Sequence, residues 1–495
     1  MAAGSTGPTA PPDLVRAQED AVVQMVRIPE VAEELAARFS AAGHRLFLVG
    51  GSVRDALLGR DSDDLDFTTP ARPDAVLAVL AGWAEAVWDT GIAFGTVGAR
   101  RHGVTVEITT FRADAYDRLT RNPVVAFGDT IDDDLVRRDF TANAMAVELT
   151  DADEARSTVA SRTGRRFVDP HGGLAALAAG VLDTPATPEE SFADDPLRML
   201  RAVRFVSQLG FTPAPRVVEA MTAMAGELAR ITRERVQVEL SKLILGVHPR
   251  RAVELMVDTG LADHVLPEVP AMRLAIDEHM QHKDVYTHSL VVLEQAIDRE
   301  EPGKPDLVLR LAALLHDIGK PDTRRREPDG RVSFHHHEVV GAKMARRRLR
   351  ELRYPKSVID EVGQLVFLHL RFHGYGNGEW TDSAVRRYVT DAGPLLDRLH
   401  ALVRSDCTTR NRRRATALQR SYDGLENRIA TLREQEELDS IRPDLDGNAI
   451  MTLLGIPPGP LVGRAYKHLL AVRMEQGPLG AEAAEAELRR WAAEQ

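Results

Sequence analysis

The sequence predicts an α+β protein, with an α/β head followed by an all-helical remainder. Three observations predict this. Short apolar runs alternate with helical segments from about Arg45 to Arg112. Strand signals vanish beyond about Pro185. The long helical periods that follow are broken at Pro213-Ala214-Pro215, His248-Pro249 and Pro302-Gly303. A chain of 495 residues is too long for one compact core, so about two to four domains are expected.

The chain opens on Met1–Pro12, which holds Gly, Ala, Thr and Pro without the charged-then-apolar order of a signal peptide. A disordered lead over 1–25 is expected. Arg45–Gly50 (RLFLVG) reads as a buried strand, Ser52–Leu58 as the start of a helix and Asp64–Thr69 as a second strand. Pro73–Leu80 reads as a helix opened by proline. Gly95–Arg100 and Val104–Arg112 flank Arg101-His102-Gly103 and read as a hairpin. The head is placed at 26–184, a helical neck at 185–270, a helical body at 271–440 and a helical tail at 441–495.

No apolar run approaches the roughly 18 to 20 residues of a membrane helix, so no membrane partner is expected. The single cysteine, Cys407, excludes an internal disulfide framework and fits a reducing, cytoplasmic setting. A net charge of −11 argues against nucleic-acid binding by the chain as a whole, but in a multidomain chain local patches decide. Basic clusters at Arg324–Arg326, at Arg346–Arg348 with Arg350 and Arg353, and at Arg410 with Arg412–Arg414 fit either phosphate contact or solvated faces.

The chemistry-bearing stretch is Gly50-Gly51-Ser52-Val53-Arg54-Asp55, followed by Asp64-Leu65-Asp66. A strand running through two glycines into a helix brings backbone N–H groups close to an anion, and Arg54 could reach the same phosphates. Ser52 with Asp55 also fits a capping box. Asp64 and Asp66, two apart on a strand, project to one face, where like charges call for a divalent cation. Glu107, on a strand where Val104, Val106 and Ile108 alternate with polar residues, could add a third carboxylate if that strand is a neighbour.

Gly-Ser, eleven residues, then Asp-x-Asp resembles the polymerase-β-type nucleotidyltransferase signature. Gly50-Gly51-x-Val53-Arg54-Asp55 narrows the resemblance to the tRNA nucleotidyltransferase and bacterial poly(A) polymerase group. Arg137-Arg138-Asp139-Phe140-Thr141-x-Asn143-Ala144 resembles that group's ribose- and phosphate-handling motif. Asp195 to Phe205 (DPLRMLRAVRF) resembles its nucleobase-selecting helix, and Glu234-Arg235 with Glu239 the motif supporting that helix. The resemblance implies a polymerase-β-like head that adds CCA to the 3′ end of tRNA from CTP and ATP, with Mg²⁺ held by Asp64 and Asp66. Gly51, Ser52, Arg54, Arg138, Arg201 and Arg204 are then candidates for triphosphate or ribose contact, and Asp139 for accepting from a ribose hydroxyl. Asp195 and Arg198, neighbours on one helix, would accept from the exocyclic amine of C or A and donate to an adjacent ring atom. Two departures stand out: Asp194 where the group usually has Glu, and Asp183 where it commonly has Arg. Poly(A) polymerase and A-only addition remain alternatives; in the group a loop is shortened in CC-adding members, and Ala113–Thr130 is full length.

In the helical half, His288, His316-Asp317 and Asp406 have the order of an HD-type metal site, and Leu311–Lys320 (LAALLHDIGK) resembles its central helix. Such ligands suit a catalytic transition metal or Mg²⁺. His337 and His369 could extend the site to a second metal, whereas His335 and His336 read as surface or core residues without a metal role. The module implies phosphohydrolase activity or a scaffold, and an HD-type phosphohydrolase is the alternative of another class. The oligomeric state is left open.

Overall fold

The structure, a computed structural model, describes residues 21–60, 64–114, 125–128, 130–150, 165–273, 284–330, 332–372, 381–408, 412–436 and 441–495. The lead Met1–Pro12, Arg410 and most of the 113–130 loop lie outside the described residues. The chain divides into two compact units, Met1–Ile231 and Thr232–Gln495, and the neck expected over 185–270 spans that division.

The first unit runs α1 (Glu30–Ala41), β1 (Phe47–Val49), α2 (Gly51–Leu57), β2 (Asp64–Thr69), α3 (Pro73–Leu80), β3 (Ala86–Trp88), β4 (Thr96–Arg101) and β5 (Val104–Thr110). A two-stranded ribbon of β6 (Arg112–Asp114) and β7 (Val125–Phe127) follows, then α4 (Ile131–Val136), β8 (Ala146–Glu148) and β9 (Arg166–Val168). The strands form a seven-stranded sheet in the order β3-β4-β5-β2-β1-β8-β9. Only β2 and β5 pair in parallel within it. The expected hairpin closes through His102 and Gly103, whose φ values of 50° and 80° are the left-handed turn that right-twisted strands require.

The pleat separates two faces. Leu65, Phe67, Val97, Ala99, Val106 and Ile108 are buried on one, where α3 packs against β4 and β5. Burial of each such side chain stabilises the head by about 1.5–3 kcal/mol. Asp64, Asp66 and Glu107 project from the other. Part of that second face is covered: Phe47, Val49 and Ala146 form one buried cluster with Ile131 and Leu135 of α4.

The unit continues through α5 (Gly173–Ala179), β10 (Val181–Leu182), α6 (Pro188–Asp194), α7 (Leu197–Leu209), β11 (Thr212–Pro213) and α8 (Pro215–Met224). The parallel β10–β11 pair corrects the expectation that strands end near Pro185. Two-residue strands are too short to carry an alternation signal.

The second unit contains α9 (Arg233–Ile244), α10 (Pro249–Asp258), α11 (Ala262–Val265), α12 (Glu268–Ala271), α13 (Val285–Ile297), α14 (Leu307–Leu315) and α15 (Lys320–Thr323). The short hairpin β12 (Arg325–Arg326) and β13 (Val332–Ser333) leads to α16 (His337–Glu351), α17 (Lys356–Leu368), α18 (Asp382–Ala392), α19 (Leu396–Ser405) and α20 (Arg412–Gln435). Asp306 caps α14 by accepting from the Val308 and Leu309 amides, and every residue from Val308 to Leu315 is buried. Arg310 tolerates that burial because Glu300 and the carbonyls of Ile244 and Gly246 accept from its guanidinium. The tail helices α21 (Gly447–Leu454), α22 (Pro460–Gln476) and α23 (Ala481–Ala493) close over their own core of Leu445, Ile450, Ala465, Leu469, Ala484 and Leu488. No helix among the described residues is long and apolar enough to cross a membrane.

Candidate active site

In the first unit, parallel pairing of β2 with β5 sets Asp66 directly opposite Glu107 and Asp64 opposite Thr105. The condition for a third carboxylate is therefore met. Burial pushes the Asp66 carboxyl up, with Asp64 adding to the shift against the pull of Arg138, Arg201 and Arg54. Burial, Asp66 and Asp64 push Glu107 up as well. Carboxylates that raise one another are short of positive charge, and a divalent cation supplies it. Donor set and charge therefore fit Mg²⁺.

Ser52 does not form the capping box expected with Asp55; α2 has no side-chain cap. Its hydroxyl instead accepts from the Asp66 amide at 2.9 Å and donates to the Asp64 carbonyl at 3.4 Å, tying the helix start to the carboxylate strand. Gly50 sits at φ 68°, where a Cβ would stand 2.8 Å from Arg138 Nη1. Glycine there permits both the turn and the approach of the guanidinium. Arg138 is anchored by Asp134 at 3.0 Å.

Arg54, a candidate for phosphate contact, is engaged by neighbouring side chains. It is buried, donates to both Asp55 oxygens at 2.9 and 2.7 Å, and donates to Asn143 Oδ1 at 2.6 Å. Asn143 Nδ2 donates to Asp139 Oδ1 at 2.9 Å, as does the Phe140 amide. Arg201 donates twice to Asp139 Oδ2, at 2.8 and 2.5 Å. Burial alone would raise the Asp139 carboxyl, but Arg201 and Asn143 outweigh it and hold it well below the usual range. With four donors on two oxygens the carboxylate is saturated in this conformation, so accepting from a ribose hydroxyl requires displacing one of them. Arg204 is also buried and lies 4.5 Å from the Phe205 ring centroid, which Arg54 approaches from 5.0 Å.

Asp195 and Arg198 are not two residues of one helix; what joins them is the Arg198 amide, which donates to the Asp195 carbonyl at 2.9 Å. Asp195 is extended (φ −141°, ψ 99°) at the junction of α6 and α7. The following Pro196 forces this, since a residue before proline is pushed out of the α region. Asp195 Oδ1 accepts from the Leu197 amide at 3.1 Å, and Arg198 sits in the first turn of α7. The Arg198 guanidinium donates to Ser191 Oγ (2.8 Å) and to the Arg137 carbonyl (2.7 Å), locking it between α6 and the segment bearing Arg138.

In the second unit the expected ligands converge from helix ends: His288 in the first turn of α13, His316 after α14, His337 opening α16, His369 after α17 and Asp406 after α19. They form two groups, His288 with His316 and Asp406, and Asp317 with His337 and His369. His316 Nε2 faces His288 Nε2 at 3.3 Å, and His337 Nε2 faces His369 Nε2 at 3.3 Å. Asp317 serves both, with Oδ2 3.2 Å from His316 Nε2 and Oδ1 3.3 Å from His337 Nε2. The Nδ1 atoms of His316, His337 and His369 lie 2.6–2.8 Å from the carbonyls of Ala313, Phe334 and Val366, which places the proton on Nδ1. Each Nε2 then presents a lone pair, and lone pairs opposed at this distance call for a cation. Tetrahedral ligands at zinc-like bond lengths stand about 3.3 Å apart, so the set fits a transition metal. Asp317 is held well below the usual carboxylate range: burial would raise it, but His316, His337 and Lys320 dominate. Burial and the nearby His316 push His369 down to about 3. Close approach builds this centre, because a Cβ on Gly319 would collide with the His337 carbonyl. His335 and His336 are exposed.

Family models match a poly A polymerase head domain at residues 46–183, a probable RNA-binding region of polymerase A at 210–272, and an HD domain at 285–408. An A-adding tRNA nucleotidyltransferase of Deinococcus radiodurans is 34% identical over 90% of this chain and 95% of its own length. The chain belongs to the tRNA nucleotidyltransferase and poly(A) polymerase family. A CCA-adding enzyme of Anoxybacillus flavithermus is 30% identical over 74% of this chain and 76% of its own. The crystal structure of the Bacillus stearothermophilus CCA-adding enzyme with CTP aligns at a TM-score of 0.64 and 26% identity, covering 94% of this chain and 99% of that one.

Asp183 accepts from Arg216 Nε at 2.8 Å and from the Thr184 amide, so its charge is paired at this junction. Sequence reasoning gave no role to Asn143, Ser191 or Asp134. Asn143 lay inside a quoted motif; Asp134 lies one helical turn before Arg138, an i,i+4 spacing that could have signalled the pair, and Ser191 lies seven residues before Arg198 across the α6–α7 break. Of the basic clusters, Arg324–Arg326 are exposed, whereas Arg348 is tied to Glu268 at 3.0 Å.

Proposed function

We propose that this chain adds CCA to the 3′ end of tRNA from CTP and ATP, with Asp64, Asp66 and Glu107 at the reacting centre. The supporting observation is the in-register Asp66–Glu107 pair beside Asp64, on the face reached by Arg138 and the Gly50–Gly51 turn. Asp64 and Asp66 would hold Mg²⁺, which lowers the pKa of the attacking hydroxyl and neutralises the departing pyrophosphate. Glu107 faces the hydroxyl side, Arg138 the triphosphate, and Asp195 with Arg198 the incoming base. The relative matching over 90% of the chain is A-adding, which favours A-only addition as a second reading. Purified protein given tRNAs ending before C74, C75 or A76 with single nucleotides tests both. Growth of all three by C, C and A supports the first; growth only of the tRNA lacking A76 supports the second.

The paired histidine groups of the second unit also support a metal-dependent phosphohydrolase activity. Release of phosphate from phosphomonoesters, or ring opening of 2′,3′-cyclic nucleotides to the monophosphate, with Mg²⁺, Mn²⁺, Ni²⁺ or Co²⁺ tests it.

A further inference from the structure

Trp88 lies in one cross-strand row with the candidate carboxylates. Register pairs Trp88 with Gly98, Gly98 with Glu107, and Glu107 with Asp66. Directly paired residues share a face, so all four project from the face that bears the carboxylates. The indole packs directly on Gly98: a Cβ there would overlap its Nε1, Cε2 and Cδ1 atoms. Only glycine leaves room for the ring to fold along the row towards Glu107, one strand spacing (about 4.8 Å) beyond Gly98. Trp88 is half-buried, and Arg100, on the same face in the row of Thr105 and Asp64, is exposed.

The sheet order decides which reactant meets this ring. Arg138 and the Gly50–Gly51 turn lie at the β1 side of β2, and there the same face is closed by Ile131 and Leu135. The triphosphate therefore belongs to the β1 side of Asp66. In an in-line displacement the attacking hydroxyl stands opposite the departing pyrophosphate, so it approaches from the β5–β4–β3 side. That is where Trp88 lies. A flat aromatic surface binds any unpaired base through its π-face, without regard to sequence.

We propose that Trp88 is the stacking platform for the 3′-terminal base of the RNA acceptor, holding its ribose above β5 and β2 so that the 3′-hydroxyl meets Glu107 and Asp66. Arg100 serves the phosphate next to that base. Platform stacking suits an acceptor whose last base changes at each addition, since it tolerates C and other bases alike. The inference rests on the nucleotidyl-transfer reading for its chemistry, but its binding test does not.

The test is a double-mutant cycle between Trp88→Ala and an acceptor whose terminal nucleotide is abasic. Equilibrium Kd for each acceptor is measured on the full chain without nucleoside triphosphate, and KM for CTP and ATP is measured separately. Either change alone should weaken acceptor binding roughly 5- to 100-fold, and both together little more than one. Trp88→Phe should recover most of the loss, and KM for CTP and ATP should stay near wild type. Trp88→Leu, which keeps apolar bulk without a flat π-face, carries the comparison if the alanine variant does not fold. Independent losses that multiply, or a rise in nucleotide KM with unchanged acceptor Kd, overturn the proposal. A wild-type protein that binds both normal and abasic acceptors equally also overturns it. Absence of nucleotide addition by wild type refutes the reaction instead, and the Kd cycle still decides the platform.

Discussion

Asp195 carries two roles that substitution can separate. Its Oδ1 accepts from the Leu197 amide at 3.1 Å, at the start of α7, and in the proposed reaction its charge accepts from the exocyclic amine of C or A. Asparagine keeps that acceptor, whereas alanine deletes it, at a cost of about 0.5–1.5 kcal/mol. Asp195→Asn should therefore leave stability near wild type, while Asp195→Ala should lower the melting temperature by roughly 2–4 °C per kcal/mol lost. Both remove the charged hydrogen bond to the base, worth about 1.5–3 kcal/mol, or roughly 10- to 150-fold in discrimination. Both also remove the repulsion against O4 of uracil. The assay is kcat/KM for CTP, ATP, UTP and GTP on matched tRNA ends, with thermal melts of each variant. CTP and ATP use should fall relative to UTP and GTP in both variants. Equal slowing of all four nucleotides by Asp195→Ala, with normal ratios in Asp195→Asn, would show that Asp195 only holds the start of α7.

Further outcomes follow from the same geometry. Asp64→Ala or Asp66→Ala should abolish nucleotide addition while tRNA affinity changes little, because these carboxylates are placed to hold metal rather than RNA; activity within tenfold of wild type refutes that placement. His316→Ala with Asp317→Ala should abolish metal uptake by the second unit, read by metal analysis of the purified protein, yet leave nucleotide addition intact, since the two centres share no ligands. Gly50→Ala should slow addition at least tenfold, because it strains a positive φ and crowds Arg138 Nη1; unchanged kcat/KM would count against the turn. Asp139 is held well below its ordinary carboxyl range by Arg201 and Asn143, so its stabilisation is complete above the unfolded value near pH 4 and lost as pH falls through the folded one. Asp139→Asn should therefore flatten the loss of stability in acid, measured by denaturant melts from pH 6 to 3, and an unchanged slope refutes the pairing.

Much of the head was legible because local rules govern it. Alternation marked Asp64–Thr69, a proline at the first helical position marked Pro73–Leu80, and Gly at the hairpin turn marked the return to Val104. Asp64 and Asp66 share a face by strand geometry alone, whatever the fold. Glu107 was conditional, since no local rule names a strand's neighbour. The break at Asp195 was readable from Pro196 and was masked by the helical look of the residues after it. In the second unit His316, His337 and His369 were legible as candidate ligands, but their meeting at helix ends was not derivable from spacing.

Side-chain type and period, which act within a few residues, determined the elements, the paired aspartates and the candidate ligands. Tertiary structure decided which groups are already engaged. Arg54 and Asp139 read from sequence as free to meet a nucleotide, yet burial obliges each to find partners inside the protein: Asp55 and Asn143 for Arg54, Arg201 for Asp139. A buried charge must be paired to be tolerated, and its partner comes from wherever the chain folds back. Sequence names the charge, and only the packing of β1, β2, β5 and α7 decides what neutralises it.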